Sequence, residues 1–123
     1  MDIVINHDSP TPIYRQIVEQ IGWQIIQNRL PANQVLPSIR AIALDLKISV
    51  ITTKKAYEDL ETMGLIYTIS GKGCFVSPIE HRQVMEKQLD LAKERMKRDL
   101  SYYKAIGLTM DEIIDLFRSV ENS

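Results

Sequence analysis

The stretch 36-LPSIRAIALDLKISVITTKKAYEDLETMGLIYTISGKGCFV-76 decides the fold. It reads as two short helices joined by a tight turn, then two strands around a glycine-bearing tip. Pro37 cannot continue a helix backwards and Ser38 offers a hydroxyl to the free amides, so a helix is expected from Ser38 onward. Its apolar face is Ile39, Ile42, Ala43 and Leu46. Ser49 is a second cap, and Val50 to Met63 carries Thr53, Ala56, Tyr57, Leu60 and Met63 at helical spacing until Gly64 stops it. Leu65–Ile69 and Cys74–Val76 are rich in β-branched and aromatic residues. Between them Ser70-Gly71-Lys72-Gly73 has the composition of a hairpin turn. Helix, turn, helix and hairpin make a winged helix-turn-helix.

Once the core faces are assigned, the second helix leaves Ile51, Thr52, Lys54 and Lys55 in its first two turns pointing away from the apolar stripe. That end is the one a recognition helix presents to base edges in the major groove. Arg40, early on the first helix, has the reach to meet a phosphate or a guanine edge, and Lys72 rides on a two-glycine tip slim enough for a minor groove. Any one lysine alone reads as an ordinary solvated cation. Arg40, Lys54 and Lys72 together, each at a DNA-facing position of one motif, read as contacts. Ser38, Ser49 and Val50 at the helix starts, with Gly71 and Gly73 at the tip, complete the candidate DNA-binding set.

The chain has 123 residues, 45% of them hydrophobic, which allows one compact domain plus an appendage. Net charge is -1, and dividing the chain at Ser77 leaves neither part basic, with 7 basic and 7 acidic residues before it and 8 and 9 after. Nucleic-acid affinity must then come from placement of charge and from doubling the site by dimerisation. A single cysteine, Cys74, fits a reducing cytoplasm and reads as a small packed residue. No apolar run of about 18 residues is present, so no membrane span is expected. Nor does the N-terminus have the form of a signal peptide. A cytoplasmic protein is the expectation.

Toward the N-terminus, Asp2–Ile5 suits an edge strand or a tucked arm. Thr11 as cap and Pro12 in the first helical position open a helix to about Asn28, with Ile13, Ile17, Ile21, Ile25 and Ile26 on one stripe. Trp23 and Tyr14 are expected to pack at a seam with the C-terminal segment. Asn28 and Asn33 stand where the connector needs left-handed turns, which asparagine tolerates.

Beyond Ser77-Pro78 the pattern changes to a charge-dense helix, Ile79 to about Ile106. Met85, Leu89, Ala92, Met96, Leu100 and Tyr103 form a narrow seam along it. Gly107 is a stop, and Thr109 with Glu112 makes a capping box for a last helix striped by Met110, Ile113, Ile114, Phe117 and Val120. Two such helices cannot bury both stripes on each other, so these seam residues are the candidate dimerisation surface, closed by a second copy. The expected division is residues 1–77, a winged helix-turn-helix DNA-binding domain, and 78–123, a helical dimerisation region. The fold class is mainly α with a small β hairpin.

The segments PIYRQIVEQI, NRLPANQVLPSIRAIALDLKIS and TTKKAYEDLETMGLIYTISGKGCFV resemble the N-terminal winged domain of the GntR family of bacterial transcription regulators. The short two-helix tail and its KAIGLTMDE junction resemble the family's YtrA subfamily. The resemblance implies DNA contact by Arg40, Lys54 and the Gly71-Lys72-Gly73 wing, dimerisation through the tail, and repression of operons that often encode ABC transporters. Where the family has arginine, Lys54 keeps a phosphate contact without the bidentate fork. Val50 and Ile51 replace residues with more polar character, and thymine methyl groups suit them better than hydrogen-bonded readout.

The expected partners are a double-stranded DNA operator and a second copy of the chain, with no cofactor, no metal and no membrane; a small-molecule effector is left open. No enzyme is expected. His7 and His81 lack cysteines or carboxylates at ligand spacing, no glycine-rich phosphate loop follows a strand, and Ser38 and Ser49 are better caps than nucleophiles. Two rivals stand beside the homodimeric repressor. One is a winged-helix protein-interaction module, which calls for an apolar patch where Arg40, Lys54 and Lys72 gather. The other is a metabolite-responsive regulator with its ligand site at the dimer interface.

Overall fold

Isoleucines at helical spacing build the core of the N-terminal part of the chain. In the computed structural model, which describes residues 1–123, the elements run α1 (Ile13–Ile26), α2 (Ile39–Leu46), α3 (Val50–Thr62), β1 (Ile66–Ile69), β2 (Gly73–Val76), α4 (His81–Ala105) and α5 (Met110–Glu121). They form two compact units, Met1–Val84 and Met85–Ser123. In the first, Ile17, Ile21 and Ile25 of α1 are buried with Ala56, Tyr57 and Leu60 of α3, Ile42 of α2, and Ile66 and Val76 of the hairpin. This is a winged helix-turn-helix, and its strands pair antiparallel in the register Ile66↔Val76 to Ile69↔Gly73.

The entry to α1 differs from expectation. Pro12 is extended (φ -56, ψ 148) and sits at the cap position, and no side chain caps the helix. Instead the Gln16 amide donates to the carbonyls of Asn6 and Thr11, both at 2.9 Å, and fastens the turn before the helix. Gln16, Gln20 and Gln24 line one face of α1 and hold the N-terminal segment as a tucked arm. The Val4 amide donates to Gln20 Oε1 while Gln20 Nε2 donates back to the Val4 carbonyl, at 2.8 and 2.7 Å, and Gln24 Nε2 donates to Asp2 O at 2.8 Å. A glutamine amide supplies the same donor and acceptor as a neighbouring strand would.

Trp23 is 47% exposed; two residues on from Ile21, it lies on the opposite side of α1 from the isoleucine stripe. Tyr14 packs under Lys55 of α3, whose Nζ is 4.7 Å from the ring centroid. Met63, expected in the core stripe, is also exposed. After α3 ends at Thr62, Gly64 turns the chain (φ 78), the Leu65 amide donates to Leu60 O at 3.0 Å, and Leu65 takes the buried place.

Asn28 and Asn33 have φ of 60 and 67. The connector after them adds a third ribbon to the hairpin: Asn33 N donates to Val76 O, Val76 N to Gln34 O and Leu36 N to Cys74 O, at 2.7 to 2.9 Å. Cys74 is half-buried, its Sγ 3.4 Å from Thr68 Oγ1.

In the second unit, Gly107 (φ 95) ends the turn after α4, and Thr109 and Glu112 form the reciprocal capping box of α5. Tyr103 meets Phe117 edge to face at 5.9 Å. Ile113 alone is buried there. No helix is long and apolar enough to cross a membrane.

Candidate nucleic-acid interface

The turn between α2 and α3 is set by two serine caps. Ser38 Oγ accepts from Ala41 N at 3.1 Å, and Ser49 Oγ accepts from Thr52 N at 3.0 Å. Ser49 donates its own proton to Thr52 Oγ1 at 2.7 Å, which leaves the Thr52 hydroxyl proton free to point outward as a donor. Tyr57 ties α3 to the start of α2: its hydroxyl donates to Pro37 O at 2.7 Å, and burial, helped by the nearby Cys74, pushes the phenol well above its usual range. This contact holds α2 and α3 in one geometry, so side chains on both can face one ligand.

Arg40 and Val50, named from sequence, come together in a concavity of about 490 Å³ lined also by Ala43, Leu44, Lys47 and Ile48. Leu44 and Ile51 are more than four-fifths exposed, and Val50 about half. The surface is therefore mixed: cations border an apolar patch in which Leu44 joins the Val50 and Ile51 expected from sequence. Leu44 and Lys47 were missed. Leu44 lies one turn after Arg40 and shares its face, a spacing that was legible; Lys47 closes the helix, where only the backbone geometry marks it out.

The two lysines of α3 differ. Lys54 has only a loose pair with Glu58 at 3.9 Å, both side chains about two-thirds exposed, which constrains it little. Lys55 is drawn toward α1, between the Tyr14 ring and Asp59 at 3.8 Å. At the hairpin tip Gly71 and Gly73 have φ of 79 and 117, Lys72 N donates to Ile69 O at 2.9 Å, and the Lys72 side chain is exposed. Tyr67 and Phe75 stack at 5.5 Å across the strands, and Tyr67 donates to Asn33 Oδ1 at 2.9 Å. The wing is thereby a stiff mount for one cation.

Of the tail candidates, Met96, Leu100, Tyr103, Met110, Ile113, Ile114 and Phe117 line a second, strongly apolar concavity of about 650 Å³ with Lys93, Lys97 and Asp99 at its edge. Met85, Leu89 and Ala92 are exposed along α4. Ile113 is already covered within the chain.

The signature described as "Bacterial regulatory proteins, gntR family" matches residues 13–76. The chain is 30% identical over 108 residues to the uncharacterized HTH-type transcriptional regulator YhcF of Bacillus subtilis (strain 168), covering 87% of this chain and 88% of that one. It is 27% identical over 118 residues to the HTH-type transcriptional repressor YtrA of the same organism, covering 96% and 91%. Among solved structures it resembles a GntR family transcriptional regulator from Listeria monocytogenes (TM-score 0.72, 29% identity, 91% of this chain and 97% of that one). It also resembles the AraR DNA-binding domain in complex with operator ORX1 (TM-score 0.55, 28% identity, 63% and 96%).

Proposed function

The chain belongs to the GntR family of bacterial regulatory proteins, and from that footing we propose that it is a homodimeric repressor that binds a palindromic operator. The observation that carries the reading is the α2–α3 surface. Arg40, Lys47 and Lys54 are exposed there and loosely held or unpaired, beside a half-buried Thr52, on two helices locked together by Tyr57. In this reading α3 enters a major groove, Ser38, Arg40, Ser49, Thr52 and Lys54 meet phosphates or base edges, and Val50 and Ile51 touch thymine methyls. Lys72, between Gly71 and Gly73, reaches the adjoining minor groove. Lys55, held at Tyr14, serves the fold first.

The tail supports the dimer. Met110, Ile114 and Phe117 are each about half exposed around an apolar concavity, a face that a second copy would cover. Two-fold symmetry then asks for half-sites about one helical turn apart or slightly more. Control of an ABC-transporter operon is the finer expectation carried by the likeness to the YtrA subfamily.

The test is a gel-shift titration of the full chain against its own promoter and a scrambled duplex, at several salt concentrations. Preference for the promoter is expected, and equal affinity for both would end the specific-readout reading. Arg40→Ala should cost roughly 1–3 kcal/mol of binding if it reads a base, and mainly flatten the salt dependence if it holds a phosphate.

A further inference from the structure

We propose that Lys47 is a phosphate contact of the DNA-binding surface, kept at the α2–α3 turn in a backbone conformation that disfavours it. The inference rests on the DNA-binding reading above.

Seven residues of the chain have positive φ: Asn28, Asn33, Lys47, Gly64, Gly71, Gly73 and Gly107. Six of them are glycine, which has no Cβ to crowd, or asparagine, which tolerates the left-handed region. Lys47 is the exception, at φ 56 and ψ 48. The turn itself requires that geometry. Lys47 N donates to Leu44 O at 3.3 Å and Ile48 N to Ala43 O at 3.0 Å, closing the last carbonyls of α2 through a left-handed residue. Glycine would serve this backbone best, so the lysine is there for its side chain.

Within the chain that side chain has no partner. Asp45, two residues earlier, forms no ion pair with it, and no other carboxylate does. It is exposed and lines the concavity that holds Arg40, Leu44 and Val50. Two cations thus flank the apolar patch beside the start of the recognition helix. A polyanionic strand passing there would meet both, with hydrophobic side chains between them facing the bases. The competing account is local: a cation at a helix C-terminus interacts favourably with the last carbonyls. The two accounts predict opposite signs for stability.

The experiment compares the full-length wild type with Lys47→Gly, Lys47→Asn and Lys47→Arg. Thermal melting is followed by fluorescence anisotropy on two duplexes, one enriched from a random-sequence library by the wild type and one unrelated. Lys47→Gly and Lys47→Asn should raise Tm while weakening both duplexes by about 3–10-fold, and should lower the slope of log K against log salt by about 0.9. Lys47→Arg should keep affinity and slope. A Tm lowered by Lys47→Gly with affinity and slope unchanged would establish the helix-terminus account and overturn the proposal. Loss confined to the enriched duplex at constant slope would also overturn it, because a phosphate contact is blind to sequence. Failure of the wild type to enrich any duplex from the library, or to bind the unrelated one, would instead strike the DNA-binding reading, and Lys47 with it.

Discussion

The winged unit and the tail use apolar side chains in opposite ways. In Met1–Val84, α1, α3 and the hairpin close on one another, and Ile17, Ile21, Leu60, Ile66 and Val76 are almost wholly withdrawn from water. In Met85–Ser123 the helices carry comparable stripes, yet only Ile113 is buried, while Met96, Met110, Phe117 and Val120 are about half exposed or more. Hydrophobic stabilisation scales with area removed from water, so the first unit has the means to fold alone, whereas the second leaves most of its apolar stripes in water. The difference fits the two tasks proposed above, a rigid surface for a nucleic acid and an apolar one for a second copy.

The largest expected effect tests the closed half. Leu60 is fully buried between α1 and the hairpin, and Leu60→Ala leaves a cavity that should cost about 2–5 kcal/mol. Urea unfolding followed by far-UV circular dichroism measures this. A loss under about 1 kcal/mol would mean that the winged core is looser than its burial indicates, and the contrast with the tail would weaken.

The next effect addresses the open half. Phe117→Asp introduces a charge on the apolar face without touching the winged core. Sedimentation should shift from dimer to monomer. Operator affinity should drop about 100-fold, because two half-sites are no longer held by one linked pair of binding units. The melting of the winged core should be little changed. An unaltered dimer would show that the tail's exposed face is not the contact between copies.

How much of this was legible from residues depends on how local each feature is. The caps Ser38, Ser49 and Thr109, the stops at Gly64 and Gly107 and the hairpin tip are read from neighbours a few positions apart, and all were placed correctly. The third ribbon from Asn33 to Leu36 was not, because its pairing with β2 is long-range and its residues have no alternating pattern. The glutamine face of α1 was missed for the same reason: polar residues at helical spacing read as solvent-exposed until the arm they hold is seen. Met63 was assigned to the stripe by periodicity, which cannot foresee that the turn at Gly64 delivers Leu65 to the same place. In the site, Arg40, Lys54 and Lys72 were legible as exposed cations. The attachment of Lys55 to Tyr14 joins two helices and needed coordinates, as did the left-handed backbone at Lys47.

The smallest effect sharpens the comparison at the start of α5. Thr109 N donates to Glu112 Oε1 at 3.0 Å and Glu112 N to Thr109 Oγ1 at 3.2 Å. The Thr109 backbone N–H, then the Thr109 hydroxyl, holds the Glu112 carboxyl below its usual range, because hydrogen bonds to the carboxylate favour the charged form. A carboxyl depressed in the folded state contributes stability that is fully present above its unfolded value, about 4.3, and disappears as pH falls through the folded value. Thr109→Ala removes the cap and should cost about 1 kcal/mol at neutral pH. The gap in tail stability between wild type and Thr109→Ala should stay constant from neutrality down to about pH 5 and narrow below it, as that carboxyl is protonated. Because the winged unit carries its own core, acid loss at this cap should appear first as weaker association of copies, and only later as loss of winged-unit structure. A gap that widened on acidification would contradict the sign, and simultaneous loss of both units would argue that they unfold as one.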